Sequence, residues 1–169
     1  MVAVVERTLA ILALAAALVA VVALVALVTR RVPAWLRDDV ALPLATAIVT
    51  VATAGSLYLG EVVGYVPCTL CWYQRIAMYP LVVVLGVATL RADRQVWRSV
   101  VPLAAVGTVF ATWHVAIERN PGLGGVCDPA APCTVLWVQE LGFLTLPTMA
   151  LIGFVAAGAL SLAARRPSS

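Results

Sequence analysis

Five long apolar segments constrain this chain more than any other feature of its sequence, and short stretches between them hold nearly every charged residue. Hydrophobic residues make up 63% of the chain and charged residues 11%, whereas soluble domains carry about 25% charged residues. The sequence therefore predicts an all-α integral membrane protein. The five segments are Thr8–Val28, Val40–Leu59, Ile76–Leu90, Val100–Ile117 and Phe143–Ala164.

The third segment is too short to cross a bilayer alone. Ile76–Leu90 would form a helix of about 22 Å, against a hydrocarbon core of about 30 Å. A helix that starts at Cys68 instead reaches about 34 Å. This start places Cys68 and Cys71 in the first helical turn, at the membrane surface.

The basic residues indicate how the chain crosses the membrane. All 11 are arginines and the net charge is +3, but no basic tract is present, so we expect no nucleic-acid partner. Cytoplasmic loops collect basic residues, which predicts a multi-pass protein of the cell membrane, its amino terminus outside and its carboxyl terminus cytoplasmic. The predicted cytoplasmic arginines are Arg30, Arg31, Arg37, Arg91, Arg94, Arg98, Arg165 and Arg166. The outer side holds Arg7, Arg75 and Arg119, with the acidic residues Glu61, Asp128 and Glu140.

The first segment could be a cleaved signal peptide, but its apolar run is longer than the usual 7–15 residues. Arg30 and Arg31 follow it and would have to be translocated. We therefore predict an additional helix and cytoplasmic loop at residues 1–39, followed by a four-helix domain at residues 40–169. No polar residue lies between Leu9 and Val28, so nothing in the sequence gives this helix a chemical role.

Four cysteines form two pairs on the predicted outer side, Cys68 with Cys71 and Cys127 with Cys133. That compartment favours disulfides. Two cysteines separated by two residues at the start of a helix have a further property, because the free amides and the helix dipole stabilise a thiolate. The first pair is therefore suited to thiol–disulfide exchange.

Arg75 follows Cys71 by four residues, so a helix places the two side chains on one face about 6 Å apart. This arrangement holds a cation beside a thiolate and offers a hydrogen-bond donor to a carbonyl of a lipid-soluble ligand. A quinone ring meets both demands. The alternative is an interfacial anchor whose guanidinium reaches lipid phosphates.

The second pair lies in a loop rich in glycine and proline, which can present a disulfide to a protein partner. One alternative is an inert disulfide that closes the loop. Another is a zinc site built from all four cysteines. The spacing of Cys127 and Cys133, with two prolines between them, does not match the usual zinc knuckle, so no metal is expected.

His114 is the only histidine, and Glu118 follows one turn later on the same helical face. Reduction of a quinone consumes two protons, and an ionisable group at membrane depth favours a functional role. We predict that His114 supplies or relays those protons, or hydrogen-bonds the ring. The alternative is a packed polar side chain.

At Pro67–Arg75 the chain resembles the DsbB family of disulfide bond formation proteins, especially its BdbC-like branch. The resemblance extends to the loop cysteines and to Leu141–Pro147, which is similar to the start of that family's last helix. It covers roughly Val40 to the carboxyl end and leaves the first segment outside.

The resemblance implies a membrane four-helix bundle, here with one additional amino-terminal helix. The implied activity is reoxidation of a thioredoxin-like partner of the DsbA or BdbD type, with electrons passed to ubiquinone or menaquinone. A partner thiolate would attack Cys127, the released Cys133 would exchange with Cys68, and Cys71 would face the quinone beside Arg75. His114 has a comparable place near the quinone. The spacing of Cys127 and Cys133 is shorter than in longer-looped members, which limits rearrangement of the loop.

Two competing functions remain at this point. A non-catalytic membrane scaffold with two structural disulfides would also hold four outer cysteines. A membrane reductase for outer disulfides would run the relay in reverse; exposed cytoplasmic cysteines would favour it, and none is predicted.

Overall fold

A computed structural model describes residues 1–33, 36, 40–123 and 127–165 of the protein. Within these residues, five helices are long and apolar enough to cross a membrane. The predicted all-α, multi-pass membrane fold is thereby confirmed. The helices are α1 (Val2–Val28), α2 (Ala41–Leu57), α3 (Thr69–Arg91), α4 (Trp97–Arg119) and α5 (Leu146–Ala164).

Short elements extend and connect these helices. A π-helical turn, Tyr58–Val62, prolongs α2, and a 3-10 turn, Arg94–Val96, leads into α4. Another 3-10 turn, Pro121–Leu123, follows α4. Two short antiparallel strands, β1 (Gln139–Glu140) and β2 (Leu144–Thr145), form a hairpin just before α5.

The last helix begins at Leu146, three residues after the start of the apolar segment and within the stretch Leu141–Pro147 that resembles the start of the family's last helix. The hairpin loop has three residues, 141–143, and the first two, Leu141 and Gly142, have positive φ, 53° and 77°. This turn makes the following residues extended. The helix then starts with proline in its first turn, where the missing N–H costs nothing.

The first helix begins at Val2, six residues before the apolar segment that starts at Thr8. Glu6 and Arg7 lie inside it because both have partners at the end of the bundle that holds the cysteines. The Tyr65 hydroxyl donates a hydrogen bond of 2.6 Å to Glu6 Oε1. Arg7 Nε lies 3.9 Å from Glu140 Oε1.

The helix α5 is at the centre of the bundle, where it packs against α1, α2 and α4, while α3 packs against α2 and α4. Small residues allow close approach, as is usual in membrane helices. A side chain at Gly107 of α4 would collide with the ring of Phe154 of α5. The buried residues of α1 are all alanines: Ala10, Ala16, Ala20, Ala23 and Ala26.

The alternating direction of the helices separates the two ends of the molecule. The four cysteines lie at the end where α3 and α5 begin, and the arginine-rich connections lie at the other end. At that second end, Arg165 Cζ lies 5.1 Å from the ring centroid of Trp97. Of the eight arginines used to predict orientation, Arg37 and Arg166 are outside the described residues.

Candidate active site

The first cysteine pair lies at the start of α3, as predicted. Cys68 is the N-cap residue, and its sulfur accepts a hydrogen bond of 3.3 Å from the backbone N–H of Cys71. Both cysteines are free, and their sulfurs are 2.9 Å apart. This helix start therefore holds two thiol groups within reach of each other.

The environment of Cys68 stabilises its thiolate. The hydrogen bond from Cys71 is the main cause that lowers the pKa of the Cys68 thiol, to about 4. A hydrogen bond from His114 and one from the backbone N–H of Cys71 act in the same direction, while burial opposes them. Since a thiolate is the nucleophile in disulfide exchange, Cys68 is the activated member of the pair.

This lowered pKa predicts a specific pH dependence of alkylation at Cys68. A thiol of ordinary pKa near 8.5 loses reactivity roughly 200-fold between pH 8 and pH 5.5, because its thiolate fraction falls. We expect Cys68 to stay within about twofold over that range, since it remains ionised well below pH 5.5. Mass spectrometry of the alkylated peptide measures this rate with a small, uncharged reagent.

The Cys71→Ala variant is the control for that experiment, because it removes the sulfur that donates to Cys68. Alkylation of Cys68 should then fall steeply as the pH decreases, as for an ordinary thiol. A wild-type rate that already follows the ordinary titration would contradict the stabilised thiolate.

His114 of α4 lies against both cysteine pairs and is only 3% exposed. Its Nε2 is 3.6 Å from the Cys68 sulfur and 3.1 Å from the Cys133 carbonyl oxygen. Its Nδ1 is 3.0 Å from the amide nitrogen of Gln74. Because an amide nitrogen only donates and a carbonyl only accepts, both contacts require the tautomer with a proton on Nε2. That proton points towards the Cys68 sulfur and the Cys133 carbonyl.

The second pair forms a disulfide, with 2.01 Å between the sulfurs and 5.8 Å between the Cα atoms. Cys133 is buried, whereas Cys127 is partly exposed. The sulfurs of Cys68 and Cys133 and a ring nitrogen of His114 all lie within 4.8 Å of one another. The disulfide therefore presents its buried sulfur to Cys68 and its other sulfur towards the surface.

These three atoms also meet the distance requirement for a metal site. However, Cys133 is bonded to Cys127 and has no thiolate to offer. Only the Cys68 thiolate and the His114 imidazole remain from this group, fewer than the four ligands of structural zinc. With the Cys127–Cys133 disulfide formed, Cys68, Cys133 and His114 are arranged for thiol–disulfide exchange.

Arg75 is buried one turn after Cys71, with 8% of its surface exposed. Its Nε donates to the Ser56 hydroxyl at 3.1 Å and its Nη2 to the Ser56 carbonyl at 2.9 Å. Gly60, in the π-helical turn, makes room for it, because a Cβ there would lie 2.5 Å from Nη2. Among the described residues Arg75 has no acidic partner. A fixed positive charge is thus held beside Cys71 with no counter-ion in the part of the chain that the structure describes.

A cavity of about 350 Å³ begins at Cys71 and Arg75 and extends into the bundle between α1, α2, α3 and α5. Its polar lining is concentrated at this end, where Ser56, Gln74 and Arg75 meet, and the rest is largely apolar. Tyr79 also lines it, and the Tyr79 hydroxyl is a buried group with no hydrogen-bond partner among the described residues. The cavity suits an amphiphilic, largely apolar ligand whose polar part accepts hydrogen bonds.

His114 does not line this cavity, since Gln74 lies between them. It lines a much smaller one, of about 20 Å³, together with Cys68, Cys133 and Glu118. Glu118 accepts a hydrogen bond of 2.7 Å from the Thr145 hydroxyl. The predicted contact of His114 with a quinone stays a prediction, while its observed contacts are with the reactive sulfurs.

Sequence reasoning missed three polar residues of the site. Ser56, Gln74 and Tyr79 lie in otherwise apolar helices, and polar residues inside membrane helices are a signal of function. Gln74 and Tyr79 could have been found by their spacing, because with Cys71 and Arg75 they follow one side of α3. The partnership of Ser56 with Arg75 needed the packing of α2 against α3.

Comparison with known proteins agrees with this geometry. The family model described as "Disulfide bond formation protein DsbB" matches residues 38–164. The chain belongs to the DsbB family. No solved structure was found to match it.

Curated members of the DsbB family are similar over most of their length. "Disulfide bond formation protein C" of Bacillus subtilis (strain 168) is 40% identical over 118 residues, which cover 69% of this chain and 86% of the relative. A "Probable disulfide formation protein" of Metapseudomonas resinovorans is 34% identical over 132 residues, 74% of this chain and 89% of the relative. Family membership and the five apolar helices make this chain a disulfide-forming membrane oxidoreductase. The matched region begins after α1, so the first helix is outside it.

Proposed function

We propose that the protein oxidises the dithiol of an extracytoplasmic protein and passes the electrons to a membrane quinone. The observation that carries this proposal is one continuous line of groups. The partly exposed Cys127 leads to the buried Cys133, whose sulfur lies within 4.8 Å of the Cys68 sulfur. Cys68 contacts Cys71, and Cys71 shares the large cavity with Arg75.

The sulfur chemistry starts with Cys68 and Cys71 joined as a disulfide. A partner thiolate attacks Cys127, forming a mixed disulfide and releasing the Cys133 thiolate. Cys133 then attacks Cys68, and the Cys68–Cys71 bond breaks to release the Cys71 thiolate beside Arg75. The second partner thiol attacks the partner sulfur of the mixed disulfide and releases Cys127. Cys127 then attacks Cys133, which breaks the Cys133–Cys68 bond, releases the Cys68 thiolate and regenerates the Cys127–Cys133 disulfide. The partner has then lost two electrons, and Cys68 and Cys71 have gained them.

His114 supports these exchanges by holding the sulfurs in place. Its Nε2 proton lies between the Cys68 sulfur and the carbonyl of Cys133, so it stabilises the Cys68 thiolate when that group leaves. Thiol–disulfide exchange depends on the stability of the leaving thiolate. We therefore assign His114 a positioning role at the sulfurs.

The lining of the cavity fits a quinone. A bound quinone supplies an acceptor for two electrons and two protons. Arg75 offers its remaining N–H donors to a carbonyl oxygen, and Ser56 fixes the direction of the guanidinium. A preorganised cation of this kind stabilises negative charge that develops on an oxygen acceptor.

The sulfur chemistry suggests the class of partner, and the arginine distribution suggests the orientation in the membrane. We propose a thioredoxin-like partner of the DsbA or BdbD type, since such a protein presents a dithiol that must be reoxidised. The arginine distribution favours cysteine loops on the extracytoplasmic side and a cytoplasmic carboxyl terminus. The acceptor would be ubiquinone or menaquinone.

The rival function is a membrane scaffold whose cysteines form two structural disulfides. The free thiols of Cys68 and Cys71 favour the oxidase. A buried cation at a cavity beside them also has no use in a scaffold, because burial of an unpaired charge is costly.

The decisive experiment mixes the purified protein with a reduced thioredoxin-like partner and a quinone. We expect loss of quinone absorbance together with oxidation of one partner dithiol per quinone reduced. Loss of absorbance should require all four cysteines. If neither ubiquinone nor menaquinone were reduced in a cysteine-dependent reaction, the proposal would be refuted.

A further inference from the structure

The helix that the family match leaves out forms part of the large cavity. Six residues of α1 line it, all of them apolar and spaced along one side of the helix: Leu9, Leu12, Ala13, Ala15, Ala16 and Val19. They face a stretch of α2 from Leu44 to Ser56, which corresponds to about 18 Å along the helix axis. The apolar part of the cavity is therefore an elongated space between the first two helices.

This space is a consequence of how α1 packs. α1 lies along α5 and makes only a few contacts with α2. Near the outer end the two helices do meet, because Gly55 lets Leu9 approach: a Cβ at Gly55 would lie 2.8 Å from a Leu9 methyl group. Deeper in the bundle they separate. Leu12 and Val51 line the cavity there and remain 45% and 39% exposed, so the space is open towards the lipid.

The outer end is closed by aromatic groups that α1 helps to hold. Tyr65 and Trp137 both line the cavity, and their rings stack with centroids 4.9 Å apart. Glu6 of α1 accepts the hydrogen bond of Tyr65. The cavity is thus covered towards water, polar at Arg75, apolar further in, and open sideways between α1 and α2.

We infer that α1 forms one wall of a channel for the isoprenoid tail of the quinone, with the mouth between Leu12 and Val51. This inference rests on the proposed function, because the ring must lie at Arg75. The polar end and the apolar channel are one continuous cavity, so a molecule with a hydrogen-bonding ring and a long apolar chain fits it from end to end. A tail that moves from lipid into an apolar channel gains little hydrophobic energy. The channel therefore acts mainly by orienting the ring, and blocking it should impair only quinones that carry a tail.

The test compares two matched variants of the full-length protein, Leu12→Trp and Leu14→Trp. Leu12 lines the cavity, whereas Leu14 does not, and their exposures are similar at 45% and 39%. For each variant we measure KM for a quinone with a long isoprenoid tail and for the same ring without a tail. Leu12→Trp should raise the ratio of the two KM values about tenfold, which corresponds to about 1.4 kcal/mol. Leu14→Trp should leave the ratio within twofold of wild type.

A second variant, Ala13→Phe, keeps the test valid if Leu12→Trp does not fold, because Ala13 lines the same wall. It should raise the same ratio. An unchanged ratio in both cavity variants would overturn the channel, as would an equal loss for tailed and tailless quinones. Native mass spectrometry that finds a phospholipid displaced by Leu12→Trp, with unchanged KM values, would assign the space to an acyl chain and also overturn it. Failure of the wild type to reduce either quinone would instead refute the proposed function.

Discussion

Replacement of Cys71 by serine is expected to lower quinone-dependent oxidation of the partner by on the order of 10³-fold or more, because the released thiolate carries the electrons to the acceptor. A serine hydroxyl still donates a hydrogen bond to Cys68, so the helix start keeps its local structure. The rate of quinone absorbance loss under steady-state conditions measures the effect.

A single-turnover measurement separates this loss from a structural defect. Without quinone, the Cys71→Ser variant should oxidise about one equivalent of partner through Cys127 and Cys133 and then stop. Thr69→Ser, in the same helical turn, should keep full turnover. If the wild type showed no quinone-dependent turnover and Cys71→Ser only lowered the melting temperature, the scaffold with structural disulfides would be the better account.

Replacement of Arg75 by methionine is expected to reduce quinone reduction about 100-fold, which is typical when one preorganised donor to a developing negative charge is removed. The fold should persist, since an apolar side chain in place of a buried, unpaired cation is tolerated in a membrane bundle. Comparison of kcat with KM for the quinone shows whether the loss lies in the reaction or in binding.

Two further measurements identify the role of Arg75. Exchange between the partner and the outer disulfide, followed without quinone, should keep its wild-type rate in Arg75→Met because Arg75 does not contact that disulfide. Arg75→Lys retains the charge but loses the two-point contact with Ser56, so an intermediate rate is expected. If Arg75→Met reduced quinone at the wild-type rate, Arg75 would have no role at the quinone. The alternative from the sequence, an interfacial anchor, would then be the better interpretation.

The helices could be predicted from the sequence because lipid leaves few choices for the backbone. A segment without water must satisfy its N–H and C=O groups internally, so each long apolar run had to be a helix. The same length argument correctly moved the start of α3 back to Cys68. The apolar run alone did not locate the start of α1, because this helix also includes Glu6 and Arg7, which have partners in Tyr65 and Glu140.

The contacts between helices could not be predicted in this way. The hairpin before α5 depends on positive φ at Leu141, a residue that carries none of the usual turn signals. The place of His114 beside Cys68 and Cys133, and the wall that α1 adds to the cavity, depend on which helices pack together. The helix α1 consists almost entirely of Leu, Val and Ala, a composition compatible with lipid on every side. Its role can therefore be inferred only from the helices that it contacts.

The pairing of the first helix with the last has a consequence for the biogenesis of the protein. During synthesis α3 and α4 can associate early and bring Cys68 next to His114. The helix α1 must wait for α5, the last span to emerge, before it gains its main packing partner. A nascent chain would therefore carry its reactive thiols before it has an enclosed place for an electron acceptor, and it would become a complete oxidase only after its final span is inserted.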